Sequence, residues 1–186
     1  MADHVSTTAA AQPGDALMDA KLIDVQDNSI TLDAARAGRA AVLVLYRGAW
    51  CPHCNLALRT YQRDLAPALD RRGVALIAIS PQRPDGSLSM QEKNELTFTV
   101  LSDPGNQVAT ALGVLTEAGD DTTSKLRAIG TDLTALNSDG TEAVPMPTVV
   151  VVDPAGVIRW IDVHTDHTTR TEVGDIIAAV TALAWV

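Results

Sequence analysis

Residues 45–54 read Leu-Tyr-Arg-Gly-Ala-Trp-Cys-Pro-His-Cys and contain both cysteines of the chain, Cys51 and Cys54, in a C-x-x-C spacing. The apolar run from Ala40 to Tyr46 leads into this motif and predicts a buried β-strand. Beyond it, leucine and tyrosine residues recur every three or four positions, which predicts a helix beginning near Pro52. Both thiols therefore lie at a strand-to-helix junction. Unpaired N–H groups and the helix dipole favour a thiolate there, so the pattern predicts a redox site.

The C-x-x-C pair has four possible interpretations. A dithiol/disulfide redox centre agrees best with the strand-to-helix junction. A zinc site would need two more ligands, and the only histidines that can supply them are His4, His53, His164 and His167. The other two interpretations are a pair of buried structural thiols and a structural disulfide. Such a disulfide would close too small a loop to constrain the unfolded chain much.

The composition of the chain limits its possible partners and its location in the cell. The formal net charge is −9 and no basic run is present, which argues against nucleic acid and anionic membrane surfaces as partners. No apolar run is long enough for a membrane span, and the N-terminus lacks the pattern of a signal peptide. We therefore expect a cytoplasmic protein, where a disulfide is more often catalytic than structural. Residues 1–15 are mostly small and polar, which predicts a flexible N-terminal arm, and the length of 186 residues predicts one domain over 16–186.

The order of the predicted elements indicates an α/β domain. Val74–Ser80 is a second continuous apolar run, typical of a strand buried on both faces of a helix-covered sheet. Val149–Asp153 and a following strand predict an antiparallel hairpin. Capping boxes predict helix starts at Ser89 and, for the last helix, at Thr169. Alternating strands and helices closed by a hairpin and a helix are typical of a layered α/β fold.

Taken together, these residues resemble a known family. The strand, the C-x-x-C motif, the helix and the Pro147-Thr148 pair that opens a later strand look like a thioredoxin fold. The segments Ile79-Ser80-Pro81 and Leu101-Ser102-Asp103-Pro104-Gly105 narrow the likeness to the peroxiredoxin-like branch of the alkyl hydroperoxide reductase and thiol-specific antioxidant superfamily. The resemblance runs from about Asp19 to the C-terminus.

The resemblance carries several expectations. It implies a thioredoxin-like fold with a central mixed β-sheet flanked by helices, and a cis Met146–Pro147 bond against the cysteines. It also implies a thiol-dependent oxidoreductase that acts on a peroxide or a disulfide and is regenerated by an external thiol or a thioredoxin-like protein. Neither a cofactor nor a metal is expected, and a homodimer is one expected assembly.

The chain departs from the family pattern P-x-x-x-T-x-x-C at two of its three defining positions. Cys54 stands at the peroxide-reactive cysteine, whereas Cys51 replaces the threonine and Arg47 the proline. The family also has an arginine just before the strand that here begins at Val149, and Pro147 occupies that position. A thioredoxin-style dithiol thus stands where the family has a single activated thiol.

The candidate site consists of two catalytic thiols and their neighbours. The resemblance assigns peroxide attack to Cys54, with Cys51 resolving the sulfenic acid, and this is the assignment we expect. Helix geometry instead nominates Cys51, which would attack first if the substrate were a disulfide. The supporting residues are Arg47 for positive charge, Trp50 for shielding, His53 for favouring the thiolate, and Pro52, Pro147 and Thr148.

The alternative functions are a thiol–disulfide oxidoreductase without peroxidase activity and a redox-sensing or zinc-binding module. His164 and His167 have an H-x-x-H spacing, but they are interpreted as surface residues rather than metal ligands.

Overall fold

The computed structural model describes residues 10–117 and 119–183 and shows a mixed β-sheet covered by helices on both faces. The strands are β1 (Lys21–Ile23), β2 (Ser29–Thr31), β3 (Ala41–Leu45), β4 (Ala75–Ser80), β5 (Thr99–Ser102), β6 (Leu115–Glu117), β7 (Ala143–Pro145), β8 (Thr148–Val152) and β9 (Ile158–Val163). The helices are α1 (Leu32–Arg36), α2 (Pro52–Thr60), α3 (Ala66–Asp70), α4 (Pro84–Lys93), α5 (Gln107–Ala111), α6 (Asp120–Ala128), α7 (Leu133–Leu136) and α8 (Val173–Ala182).

The main sheet has seven strands in the order β2-β1-β5-β4-β3-β8-β9, and β6 pairs with β7 in a separate ribbon. The central strand β3 runs parallel to β4 and antiparallel to β8. The β8–β9 hairpin that the sequence predicts is present at the edge. The predicted α/β fold with a central mixed sheet is therefore confirmed.

Side chains of the central strands alternate between two apolar cores, as the two-residue repeat of a strand requires. Val42 and Val44 face the core that α2 and α8 cover, which also holds Cys51 and Cys54. Leu43 and Leu45 face the opposite core, beneath α1 and α5. Because both faces of β3 are covered, all five of its residues are buried, as its continuous apolar run predicts.

The end of β3 positions the C-x-x-C motif. The loop after Leu45 turns into α2, whose first residue is Pro52 and whose N-cap is Cys51. The predicted helix start is therefore confirmed. Leu45 pairs with Thr148, so the start of β8 lies beside the end of β3 and next to this loop.

The helix that follows the cysteines does not end at Pro67. A π-helical turn over Tyr61–Leu65 joins α2 to α3, and the N–H of Ala66 bonds to the carbonyl of Tyr61, five residues back. This wider turn places Pro67 in the first turn of α3, where its missing N–H costs little. The chain leaves α3 in a turn that ends at Gly73, whose φ of +65° suits a glycine.

Both predicted capping boxes are wrong. α4 begins at Pro84, because the fixed φ of proline suits the first position of a helix. Ser89 therefore lies inside the helix. α8 begins at Val173, because Thr169 belongs to the preceding loop and bonds there to His164 and Asp166.

The predicted cis bond before Pro147 is also wrong, since the described residues contain no cis peptide bond. Hydrogen bonds anchor the backbone on both sides of this trans bond. The N–H of Met146 bonds to the carbonyl of Val114 at 2.8 Å, and the carbonyl of Pro147 accepts from the N–H of His164 at 2.9 Å.

The predicted arm over 1–15 lies partly outside the described residues, which begin at position 10. In the part that is described, the N–H groups of Ala11 and Gly14 bond to the carbonyls of Leu112 and Ile158. These residues are therefore attached to the domain. Within the described ranges, none of the helices has the length and apolarity needed to cross a bilayer.

Candidate active site

The two cysteines lie on the first turn of α2. Cys51 is the N-cap and Cys54 lies three residues later, so both sulfurs are on the same side of the helix start. Each residue is only 1% exposed, and both thiols are free. Their side chains are hydrogen-bonded to each other, which is the contact that a reversible disulfide requires.

The two cysteines differ in pKa. The hydrogen bond from the Cys54 side chain lowers the pKa of Cys51 to about 5 against the opposing effect of burial, and the Cys54 backbone N–H and the charges of Arg170 and Arg47 assist. Burial raises the pKa of Cys54 well above its ordinary value. We therefore assign the thiolate to Cys51 and the thiol to Cys54 at neutral pH.

Arg170 is the cation that directly contacts both sulfurs. Its Nη2 lies 3.1 Å from Sγ of Cys54 and 3.6 Å from Sγ of Cys51. Its Nη1 donates to the carbonyl of His167 at 2.8 Å, which fixes the direction of the guanidinium. Sequence reasoning missed this residue and proposed Arg47 as the charge near the thiolate. Arg170 could have been noticed as the last cationic residue in the sequence, just before the last helix.

The loop that carries Arg170 is fixed by a polar network at the end of β9. The carboxylate Oδ2 of Asp162 accepts from Oγ1 of Thr171 at 2.8 Å and lies 2.9 Å from Nε2 of His164. Nδ1 of His164 is 2.7 Å from Oγ1 of Thr169. On the opposite side, the hydroxyl of Tyr61 donates to the carbonyl of Thr171 at 2.6 Å. Residues on both sides of Arg170 are thus tied down.

Two buried amides hold the loop before the cysteines. Oε1 of Gln82 accepts from the N–H of Ala49 at 2.6 Å. Nδ2 of Asn55 donates to the carbonyls of Ala49 and Cys51, and Oδ1 of Asn55 accepts from Asn94. Sequence reasoning identified none of these amides, because an isolated polar residue gives no periodic signal.

Arg47 and Trp50 form a stacked pair beside the sulfurs. Cζ of Arg47 lies 4.9 Å from the centroid of the Trp50 ring. The charge of Arg47 helps to lower the pKa of Cys51, as the sequence analysis expected, but its contribution follows that of Arg170. Trp50 is half-buried and packs against the core that contains both cysteines.

The remaining predicted residues divide into two groups. Pro147 and Thr148 line a cavity of about 10 Å³ beside Cys54 and Arg170, together with Tyr61 and Thr171. This volume admits roughly one water-sized molecule. Pro52 and His53 are exposed on the first turn of α2, and His53 makes no hydrogen bond to either sulfur in the described structure.

No metal centre accompanies the thiols within residues 10–117 and 119–183, where no group of three or more metal-binding side chains occurs. His164 is engaged with Asp162 and Thr169, and His167 is exposed in the same loop. His4, the fourth histidine considered as a zinc ligand, lies outside the described residues.

A thioredoxin-like fold with a cation-bound dithiol at a helix start defines a thiol-dependent oxidoreductase. The chain belongs to the AhpC/TSA family, whose sequence pattern matches residues 13–161. The predicted membership of the alkyl hydroperoxide reductase and thiol-specific antioxidant superfamily is therefore confirmed.

Known relatives agree with this classification. The chain is 36% identical over 93 residues to a putative peroxiredoxin, bcp, of Haemophilus influenzae, a match covering 50% of this chain and 59% of that one. Peroxidoxin BcpB of Mycobacterium tuberculosis has a similar structure, with a TM-score of 0.70 at 18% identity over 92% of this chain and 97% of that one. A peroxiredoxin-like protein of Aquifex aeolicus has a TM-score of 0.73 at 15% identity, covering 94% and 88%. At these identities the two structures establish a common fold.

Proposed function

We propose that this chain reduces peroxides by cycling Cys51 and Cys54 between dithiol and disulfide. The observation that carries the proposal is the contact of Arg170 with both sulfurs. Attack on a peroxide needs a thiolate and a donor that stabilises the charge developing on oxygen. A guanidinium beside the sulfurs stabilises the thiolate and is itself the donor. Arg170 can therefore take the role of the arginine that Pro147 replaces.

The low pKa of Cys51 favours this residue as the attacking sulfur, in place of Cys54 as the family pattern suggests. The Cys51 thiolate attacks the terminal oxygen of the peroxide, the O–O bond breaks, and Cys51 becomes a sulfenic acid. The departing alkoxide, or hydroxide, takes the proton of Cys54 and leaves as an alcohol or water. The resulting Cys54 thiolate attacks the Cys51 sulfur and expels hydroxide, which closes the disulfide.

The reductant we propose is an external thiol or a thioredoxin-like protein. Such a thiol attacks the sulfur of Cys51 at the start of α2, and Cys54 is released from the disulfide as a thiolate. We place this cycle in the cytoplasm, where the glutathione and thioredoxin systems keep thiols reduced. A homodimer is proposed as the assembly, and sedimentation of the reduced and oxidised forms at several concentrations tests it.

The decisive experiment compares Cys51→Ser with Cys54→Ser in single-turnover reactions with hydrogen peroxide. Cys54→Ser is expected to accumulate a sulfenic acid on Cys51, whereas Cys51→Ser reacts far more slowly. The wild-type protein is expected to form an intramolecular Cys51–Cys54 disulfide and to retain no free thiol, as peptide mass spectrometry will show.

Two other outcomes lead to different conclusions. A sulfenic acid in Cys51→Ser but not in Cys54→Ser restores Cys54 as the peroxide-reactive residue. If neither variant reacts with peroxide while Cys54→Ser attacks a mixed disulfide, the protein is a thiol–disulfide oxidoreductase. The position of Cys51 at the helix N-cap is the feature that favours this second function.

A further inference from the structure

A second cavity adjoins the active site and is lined by a largely buried cation that has no polar partner among the residues that the structure describes. The cavity measures about 150 Å³ and is bounded by β6, β7 and the loop after β9. Its lining includes Arg47, Pro147, the hydroxyl-bearing Thr116 and Thr165, and His167. Pro147 also lines the small cavity at Cys54, so one residue forms a wall of both spaces.

Arg47 is 93% buried, since only 7% of its surface is exposed. The face of its guanidinium stacks on Trp50, yet within the described ranges its side chain has neither a hydrogen-bond acceptor nor an ion-pair partner. Its nitrogens are not among the water-excluded polar atoms without a partner in the described residues, so water still reaches them. Stacking on an indole satisfies none of the five N–H donors, which leaves them free to bind a ligand in the cavity.

The geometry of the donors indicates what would complete the site. A guanidinium is a planar fork that matches the two oxygens of a carboxylate. Glu117 lines the cavity without pairing with Arg47, and because it is exposed its charge is screened by solvent. Among the described residues that line the cavity, the unpaired and poorly screened charge is therefore positive.

We propose that Arg47 binds the carboxylate of a small organic substrate in this cavity, which makes the enzyme selective for acids. The inference rests on the peroxide reduction proposed above and names the class of its substrate. The carboxylate belongs either to an organic hydroperoxide or to the thiol that reduces the disulfide. In both cases the reacting atom reaches the sulfurs past Pro147, which lines both this cavity and the small cavity beside Cys54.

The test uses pairs of substrates that differ only in charge. A short-chain tertiary hydroperoxy acid and its methyl ester are reacted with the reduced enzyme. Mercaptopropionate and its methyl ester are reacted with the oxidised enzyme, after correction for the pKa of each free thiol. A preference for the acid of roughly 10- to 100-fold is expected in at least one arm, which is the effect of a charge-assisted hydrogen bond. The arm that shows it identifies the source of the carboxylate.

Three variants assign the preference to Arg47. Arg47→Gln is expected to abolish it, Arg47→Lys to keep part of it, and Arg63→Gln to leave it unchanged, because Arg63 is exposed and paired with Asp64. Removing the charge at Arg47 also alters the Cys51 thiolate, but this slows acid and ester equally and cancels in their ratio. If Arg47→Gln does not fold, the acid-to-ester rate ratio of Arg47→Lys is compared with that of the wild type. A lower ratio in Arg47→Lys supports the proposal, and an equal ratio contradicts it.

Equal rates for acid and ester in both arms overturn the proposal, as does an acid preference that survives in Arg47→Gln. The proposed peroxide reduction is judged separately, by the reaction of the wild-type enzyme with uncharged hydrogen peroxide. The reductive arm reports on Arg47 even if that reaction fails, because the disulfide can be formed by another oxidant.

Discussion

Nη2 of Arg170 lies 3.1 Å from Sγ of Cys54, although the two residues are 116 positions apart in the sequence. The sulfurs come from the start of α2 and the charge from the loop after β9. The site is thus assembled by packing two elements against each other, and each can be perturbed independently.

Replacing Arg170 with Gln is expected to raise the pKa of Cys51 and to slow the reaction with hydrogen peroxide about 100-fold, the usual effect of losing one donor to a developing oxyanion. The thiolate pKa is measured by ultraviolet absorbance and the rate by stopped flow. Arg63→Gln serves as the control, because its exposed side chain pairs with Asp64. An Arg170→Gln enzyme with an unchanged rate would contradict the proposed role.

The reaction of Cys51 should follow its low pKa. The rate of alkylation or peroxide reduction is expected to rise as pH increases through about 5 and to level off toward neutrality. Cys54→Ala keeps the cysteine to be titrated but removes the thiol that donates to it, whereas serine would supply another donor. The midpoint in this variant should therefore shift upward. A midpoint near the ordinary cysteine value in the wild-type enzyme would refute the assignment of the thiolate to Cys51.

The same pKa affects stability, with a definite sign. Because the pKa of Cys51 is lowered on folding from 9.0 to about 5, the unfolded chain binds more protons than the folded chain between these values. Cys51 therefore contributes a stability that is fully present near pH 9 and is lost as pH falls through about 5. Urea denaturation of the reduced protein is expected to show this slope, and the Cys51→Ser variant should lack this contribution.

Tyr61→Phe is expected to lower the free energy of unfolding by about 1–2 kcal/mol, because the carbonyl of Thr171 loses its buried donor. Loosening this loop should also raise the pKa of Cys51. If Tyr61 acts by positioning Arg170, the pKa effect will disappear when Tyr61→Phe is added to Arg170→Gln. Additive shifts in the double variant would show that Tyr61 acts on the thiolate by another route.

Gly48→Ala is expected to disrupt the loop before the cysteines. An added Cβ would lie 2.3 Å from Nε1 of Trp50 and 2.9 Å from Cδ of Gln82, at a backbone φ of +153°. We expect a loss of about 1–3 kcal/mol in stability, as for other overpacked sites, and a changed Trp50 fluorescence. Gly38→Ala is the control, because φ there is also positive but nothing lies within 4 Å of an added Cβ. Equal effects of the two substitutions would mean that backbone strain, rather than the clash, decides.

The parts of the fold that the sequence predicts are those set by local patterns. Continuous apolar runs identify β3, β4 and β8, and Pro52 identifies the start of α2, since each signal comes from adjacent residues. The capping boxes at Ser89 and Thr169 failed because the same residue types also serve in helix interiors and loops.

The site is less predictable than the fold because its key partners are distant in sequence. The spacing of Cys51 and Cys54 identifies them in the sequence. Arg170 is brought to them only by the pairing of β9 with β8 and by the packing of its loop on Tyr61. Gln82 and Asn55 act through single hydrogen bonds to backbone atoms. No sequence motif predicts such contacts, so they can be identified only in the folded structure.

The position of β9 at the edge of the sheet has a consequence for how long the site remains assembled. Its start is covered by residues near Ala16, but from Trp160 to Val163 it pairs with β8 alone among the described strands. Edge segments of this kind open at a small fraction of the free energy of global unfolding. Each such opening would withdraw Arg170 while leaving β3 and α2 intact. Amide hydrogen exchange at His164, whose N–H bonds to the carbonyl of Pro147, thus reports the fraction of time during which the sulfurs are without their cation.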